Sequence, residues 1–586
     1  MINKKNPYSY LTLILICLVA FAFTCSSKKK TVVAEIGKDK IYLYQFEDQF
    51  IKTVGSLDSA KKTSLAQRVE FLDLMIKFRL KTMDARERGL LQSEDIQRDL
   101  NEYKKNFITA FVIDKFVVEP NIKKLHELKK DEVRASHIMV NLPMPAPTPE
   151  DSIKAYEKAN IILDRLKNGE DFALVAAEMS DDVSGKSNGG DLYWFTGGMT
   201  VPEFETGVYK LKKGQYSKEP IRTVFGLHIV KLVDKQPRLE SVRASHILIQ
   251  DQRDSVGMIM DSLGTLAKAQ DILKRIKNGE EFEKLAAEYS DDPGSKTKGG
   301  DLGFFERRRM VQQFDSAAFA LKPGQVSDLV RTQFGWHIIK VTDVKKVEPF
   351  DKAEEKLKTD FKRAPTYKET YEKYMVTLRK DYDFQFVPEG VAAIISKVDS
   401  NQTIATNNFD SLFTGGIRET VLATYDGGTI KLSDVLQYMT MNRDFANNAP
   451  NYATIKRLIE STSDTPLLLE LAEKKKIEKD EDYIAMLTEY ENGLLSFKVD
   501  QEELWSKIQI LPADIQTYYE TNKDKFSYTD STGVKYKLVD DVKAEISNLI
   551  QQEKFKEMEN ALITSLKNKY PVKINEKALE KAFTEN

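Results

Sequence analysis

Histidine is the side chain whose ordinary pKa lies closest to neutral pH, and this chain carries five. Four of them form two pairs of equal spacing, His137 with His228 and His246 with His337, 91 positions apart in each pair. The surrounding text is copied as well. R-A-S-H-I-M-V at Arg134–Val140 returns as R-A-S-H-I-L-I at Arg243–Ile249, and F-G-L-H-I-V from Phe225 answers F-G-W-H-I-I from Phe334. Between the histidines, K-N-G-E-D-F from Lys167 matches K-N-G-E-E-F from Lys277. S-D-D recurs at Ser180 and Ser290, and G-G-D-L at Gly189 and Gly299. Copies of roughly 105 residues are domain-sized units rather than solenoid repeats. A lone histidine in a strand is usually a satisfied core residue, but a pair preserved in two copies argues for a working arrangement.

The elements that must position these pairs follow from periodicity. Each copy opens on an alternating apolar run that reads as a strand and holds its first histidine. A segment of helical period, a glycine-rich turn region and a closing apolar strand with the second histidine come next. The expected class is α+β of β-α-α-β type, with both histidines side by side on neighbouring strands of one sheet. No metal site is expected, because no His/Cys cluster lies outside the pairs. His126 stands alone in a charged helix, where a solvated face is the expectation. Gly189-Gly190 and Gly299-Gly300 read as turn glycines without phosphate-loop spacing.

Both copies resemble parvulin-type peptidyl-prolyl isomerase domains over residues 131–235 and 241–345. The resemblance rests on R-A-S-H-I-L, F-x-x-L-A-x-x-x-S-D-D, G-G-D-L-G-F-F and T-x-F-G-W-H-I-I-K. It implies an antiparallel sheet with flanking helices, and catalysis of cis/trans rotation about X-Pro bonds with no cofactor or metal. The amide resists that rotation by roughly 18–20 kcal/mol, so a catalyst must favour the twisted amide. An apolar socket for the proline ring beside polar groups around the carbonyl can do so by positioning and electrostatics.

Carried over to this sequence, the resemblance implies a complete set in the second copy. Leu302, Met310 and Phe314 would line the socket, with Phe334 nearby, and His246, His337 and Thr332 would form a hydrogen-bonded polar floor. Asp292 would stand next to the rotating carbonyl. In the first copy His137, His228, Thr223, Asp182, Leu192, Phe204 and Phe225 fall in register, but the socket methionine is replaced by Thr200, with Met199 one residue too early. Tyr193 and Trp194 replace Gly303 and Phe304. The first copy is therefore expected to be slow or merely a binding domain.

Lys4 and Lys5 precede an apolar run from Tyr10 to Phe23 that reads as a secretory signal over residues 1–24. The ending A-F-T-C resembles a bacterial lipoprotein signal, which implies lipidation of Cys25 and a tether over 25–31; an uncleaved helical anchor is the alternative. Cys17 and Cys25 are the only cysteines, so the exported part would contain no disulfide. With 586 residues, 30% charged and a net charge of −2, the rest reads as a large soluble protein without a nucleic-acid footprint.

Residues 32–130 open with V-V-A-E-I-G-K-D-K-I-Y-L, two short strands around a turn, followed by helices with an apolar stripe at Val69, Leu72, Ile76, Leu80 and Met83. The opening returns faintly as V-L-A-T-Y-D-G-G-T-I-K-L at Val421–Leu432. Strand, turn, strand and amphipathic helices ahead of parvulin domains resemble the chaperone module of SurA-like periplasmic foldases. That resemblance implies a later helix packed against the N-terminal ones, either Asp351–Lys380 or Val539–Lys569. P-A-D-I-Q-T-Y-Y-E-T-N-K-D-K-F (Pro512–Phe526) looks like the helix leading into a parvulin domain, yet none follows. The expected layout is 346–387 helical, 388–420 a connector, and 421–586 a mainly helical domain, either a degenerate second chaperone unit or unrelated.

The function expected is a peptidyl-prolyl isomerase and chaperone of the bacterial cell envelope. It would be periplasmic and lipid-anchored to a membrane, and its partners would be unfolded exported polypeptides with X-Pro bonds. The alternative is a non-catalytic holding chaperone that uses the parvulin copies as peptide-binding modules.

Overall fold

The computed structural model describes residues 30–143, 147–251, 261–530 and 533–584. The signal segment, Cys25 and most of the tether lie outside the described residues. Two compact units emerge: one from the chain up to Lys115 together with everything from Tyr371 onward, the other from Phe116 to Thr370.

The first unit begins with hairpin β1 (Val32–Ile36) and β2 (Asp39–Tyr42), then α1 (Leu43–Val54), α2 (Leu65–Glu87) and α3 (Glu94–Ile113). The predicted stripe on α2 faces inward: Leu72, Ile76 and Leu80 are fully buried, with Val69 and Met83 packed beside them. Burying side chains of this size stabilises by about 1.5–3 kcal/mol each.

The second unit holds the paired histidines. It starts with α4 (Glu119–Lys129) and then two sheets of identical plan. In the first copy β3 (Asp131–Asn141), α5 (Pro149–Lys167), α6 (Phe172–Met179), β4 (Asp191–Thr196), α7 (Pro202–Tyr209), β5 (Ile221–Thr223) and β6 (Gly226–Pro237) form the sheet order β4-β3-β6-β5. In the second, β7 (Leu239–Ile249), α8 (Ser262–Lys277), α9 (Phe282–Tyr289), β8 (Asp301–Phe305), α10 (Gln312–Ala320), β9 (Val330–Thr332) and β10 (Gly335–Lys346) give β8-β7-β10-β9. Every pairing is antiparallel. Each copy thus has two more strands than the simple β-α-α-β reading, and a further helix between them.

Strand alternation sorts the side chains onto two faces. On β7, Ile247 and Ile249 meet α8 and α9, whereas Val242, Ala244 and His246 face α10. The unit ends with α11 (Phe350–Arg363). His126 is a correction to the solvated-face expectation: it is buried, bonds the Glu348 carbonyl through Nε2 at 2.8 Å, and meets the Phe350 ring edge-on. Its partners lie more than 200 positions away, beyond the reach of local charge patterning.

The chain then returns to the first unit with α12 (Pro365–Asp381), β11 (Gln385–Phe386) and α13 (Pro388–Ile395). Residues 388–420 are not a mere connector, because Val391, Ile394, Ile404, Phe409 and Phe413 are buried in a common core with the next hairpin. That hairpin, β12 (Val421–Tyr425) and β13 (Gly428–Lys431), has its register shift between Val421 and Ala423, matching the shift between Val32 and Ala34 in β1. After α14 (Leu432–Met441), α15 (Tyr452–Lys474), α16 (Glu481–Glu503) and α17 (Pro512–Thr521) comes a two-stranded pairing of β14 (Ser527–Asp530) with β15 (Gly533–Tyr536). Of the two helices considered, α18 (Val539–Lys569) is the one that packs on α2: Ile563 and Leu566 enter its core, and Lys567 and Lys569 pair with Asp73 and Asp84. The final strand β16 (Val572–Ile574) joins the edge of β1, so residues 421–586 share a fold with 32–115 rather than standing apart.

Candidate functional site

Diagonal pairing on adjacent strands brings the imidazoles together. His246 lies opposite Ile339 and His337 opposite Leu248, two register positions apart on the same face, and the same holds for His137 and His228. Gly300, at φ +85°, makes this possible by close approach: its carbonyl accepts the His246 N–H at 2.9 Å, and a Cβ there would sit 2.3 Å from the His246 oxygen. Gly190 does the same for His137.

In the second copy a continuous hydrogen-bonded chain results. Asp292 Oδ2 lies 2.7 Å from His246 Nε2, the two Nδ1 atoms are 3.2 Å apart, and His337 Nε2 is 2.8 Å from Thr332 Oγ1. A carboxylate only accepts, which sets the direction of every link. His246 donates from Nε2 to Asp292 and accepts at Nδ1 from His337, which in turn accepts at Nε2 from the Thr332 hydroxyl. The first copy repeats the chain through Asp182, His137, His228 and Thr223 at 2.7, 3.3 and 2.8 Å.

Electrostatics agree with neutral His246 and His337 above a charged Asp292. Burial, reinforced by the neighbouring imidazole, pushes His337 and His228 down to about 4. Burial likewise lowers His246, against the pull of Asp292. Burial opposes ionisation of Asp292, but hydrogen bonds from Ser295 and His246 outweigh it and hold the carboxyl below its usual range. Asp182 is lowered in the same way by His137 and Ser184.

Above the imidazoles sits an apolar wall. Phe314 on α10 presents its ring edge-on to both, with centroids at 5.6 and 5.3 Å from His246 and His337; Leu302 and Met310 pack around it. Phe334 is half exposed at the rim, its N–H donating to Thr332 Oγ1. In the first copy Phe204 covers His137 and His228 in the same geometry, with Leu192 alongside and Phe225 exposed at the rim. Met199 is exposed, and the buried Thr200 hydroxyl has no hydrogen-bond partner among the described residues. An unmet buried hydroxyl costs about 1–3 kcal/mol.

Sequence reasoning missed the residues that seat the carboxylates. Ser290 and Ser180 accept from the N–H groups of Leu248 and Met139 and pin the S-D-D turn to the central strand. Ser295 and Ser184 donate to Asp292 and Asp182. Arg243 pairs with Asp301, and Arg134 with Asp191, tying R-A-S-H to G-G-D-L. The repeated Ser and Arg were visible in the motifs, whereas Ser295 and Ser184 occupy different offsets from their aspartates and carried no repeat signal. Among the described residues no cluster of His, Cys, Asp or Glu suits a metal ion, and no helix is long and apolar enough to cross a membrane.

Parts of the chain are similar to known proteins. The PPIC-type PPIASE domain family matches residues 121–236 and 231–345. The protein named chaperone SurA from Chromohalobacter salexigens is 38% identical over 39% of this chain and 52% of its own length. Chaperone SurA from Shewanella sp. (strain MR-7) is 30% identical over 52% of this chain and 68% of its own. The chain spans little more than half the length of the first of these relatives. Among solved structures, peptidyl-prolyl isomerase ESS1 from Candida albicans is matched over 18% of this chain and 67% of its own, at 34% identity and a TM-score of 0.17.

Proposed function

The chain belongs to the SurA chaperone family with tandem PPIC-type isomerase domains, and from that premise we propose that it isomerises X-Pro bonds in exported polypeptides and also holds them unfolded. The observation that carries this reading is the chain Thr332–His337–His246–Asp292 lying under the Phe314 ring, in whose apolar cluster Met310 and Leu302 also pack. A proline ring gripped by that wall loses water, while the peptide carbonyl swings past the polar floor. The interior strengthens electrostatic contacts to the twisted amide, whose conjugation is lost. Asp292 supplies fixed negative charge next to the carbonyl, and the neutral imidazoles hold that carboxylate in place. No bond is made or broken in the reaction.

The second copy is the principal isomerase in this reading, since its socket is apolar throughout. Thr200 weakens the first copy's grip on proline and makes it the slower domain or a peptide-binding one. The helical parts of the other unit serve as the holding surface. The protein acts in the bacterial cell envelope, delivered by the signal over 1–24 and anchored through lipidated Cys25.

The test is a peptide isomerisation assay on the full chain beside an aggregation assay with an unfolded client. Asp292→Ala and Met310→Ala each lower the isomerisation rate at least about tenfold, the equivalent of roughly 1.4 kcal/mol of lost transition-state preference, while aggregation is still suppressed. Rates unchanged in both variants would leave only a holding chaperone.

A further inference from the structure

The two copies part company at one backbone position that their shared motif aligns. After Leu302 comes Gly303 at φ +70°, and after Leu192 comes Tyr193 at φ +62°, a left-handed conformation that a residue with a Cβ takes only against strain. Strain of this kind persists where surrounding contacts hold it, and Tyr193 reaches out of its own copy to find them. Its buried hydroxyl donates to Asp315 Oδ2 at 2.8 Å and meets Ser316 Oγ at 2.9 Å. Both residues follow Phe314 on α10, the helix that walls the second copy's socket.

Asp315 is fully buried and gathers further bonds. It accepts the Arg308 N–H at 2.8 Å and Arg307 Nη1 at 2.9 Å. Arg307 continues to Glu132 on β3, 2% exposed, through Nε and Nη2 at 2.8 and 2.7 Å, and lies 4.1 Å over the Phe319 ring. Arg308 donates to the carbonyls of Leu192 and Trp194. The segment 306–309 leads straight into Met310. Two parts of the second socket, the Met310 approach and the Phe314 helix, are therefore fastened to the first copy by directional, charge-assisted bonds.

We propose that the first copy is a positioning module for the second: Tyr193 and Glu132 act as positioning residues that hold the Met310 segment and the Phe314 helix in proline-gripping geometry. The kinetic part of this inference rests on the isomerase reading given above; the structural part does not. It also gives a use to a copy whose own socket contains Thr200.

The experiment compares full-length wild type, Tyr193→Phe and Tyr209→Phe. The last deletes a hydroxyl bonded to the Leu128 and Asp131 carbonyls, on the first copy's side of the contact. Hydrogen exchange is followed at the amides of 312–320, and KM and kcat are measured on a Pro-containing peptide, with Met310→Ala as the activity control. Tyr193→Phe should speed exchange of that helix about tenfold, the scale of a lost hydrogen bond to a buried charge, and raise KM about threefold or more with kcat little changed. Tyr209→Phe should do neither. Unchanged exchange in Tyr193→Phe overturns the proposed hold of Tyr193 on that helix. Faster exchange with KM and kcat unmoved, while Met310→Ala still loses activity, overturns the positioning role and leaves the isomerase reading standing. Full activity in Met310→Ala sinks that reading, and the positioning of a proline socket with it. Glu132→Gln offers a second variant with the same expected pattern.

Discussion

At the scale of single residues, the second copy sets a carboxylate held below its usual range beside imidazoles that burial pushes down. His337 and His228 are held near pKa 4 in the fold against 6.5 when free, chiefly by burial. As pH falls below about 6.5 the unfolded chain takes up these protons and the folded one does not, so stability is lost toward pH 4. Each group contributes at most about 1.4 kcal/mol per pH unit across that window. Urea midpoints measured between pH 7 and pH 4 should fall, and His337→Asn should flatten part of that fall; an identical slope in the variant would contradict the assigned burial cost. The histidine pairs were legible because strand alternation and a copied spacing are local signals. His126 was not, since what buries it is the segment around Glu348, far along the chain. Thr200 was legible as a departure from the socket pattern, but its orphaned hydroxyl was not, because partners are a property of the fold.

Among elements, the repeated G-G-D-L turn has a job that its reading as a plain turn understated. Its second glycine lets the chain run against the central strand, which is why Gly300→Ala should cost well over about 2 kcal/mol and disturb His246, as read by urea unfolding and the His246 ring signals. Gly324→Ala, at φ +87° but with nothing within 4 Å of the added carbon, should show only the backbone penalty of about 1–2 kcal/mol. Equal costs at the two positions would mean that close approach is not what the turn provides. The strands with histidines and the α2 stripe were readable from period. The strands β4 and β8 were hidden by their glycine-rich surroundings, and β16 by its length of three residues. The 388–420 segment looked like a connector because its glycines and asparagines dominate the text, while its buried Ile and Phe residues are too widely spaced to show a period.

For the whole molecule, chain order and fold order differ. The N-terminal hairpin is completed by β16 and its helix by α18, so the first unit closes only when both ends of the described chain meet, a long-range pairing that no local pattern encodes. The matching register shifts of β1 and β12 show one hairpin plan used twice within that unit. Anchoring is tested by Cys25→Ser, which should move the protein from the membrane to the soluble fraction; retention in the membrane fraction would favour an uncleaved helical anchor. The central claim, that a proline socket above two bonded imidazoles turns X-Pro bonds, is tested most directly by the isomerisation rate of the full chain carrying His246→Ala and Met310→Ala together. A folded double variant should retain at most about a tenth of the wild-type rate, whereas a rate equal to wild type would contradict the account.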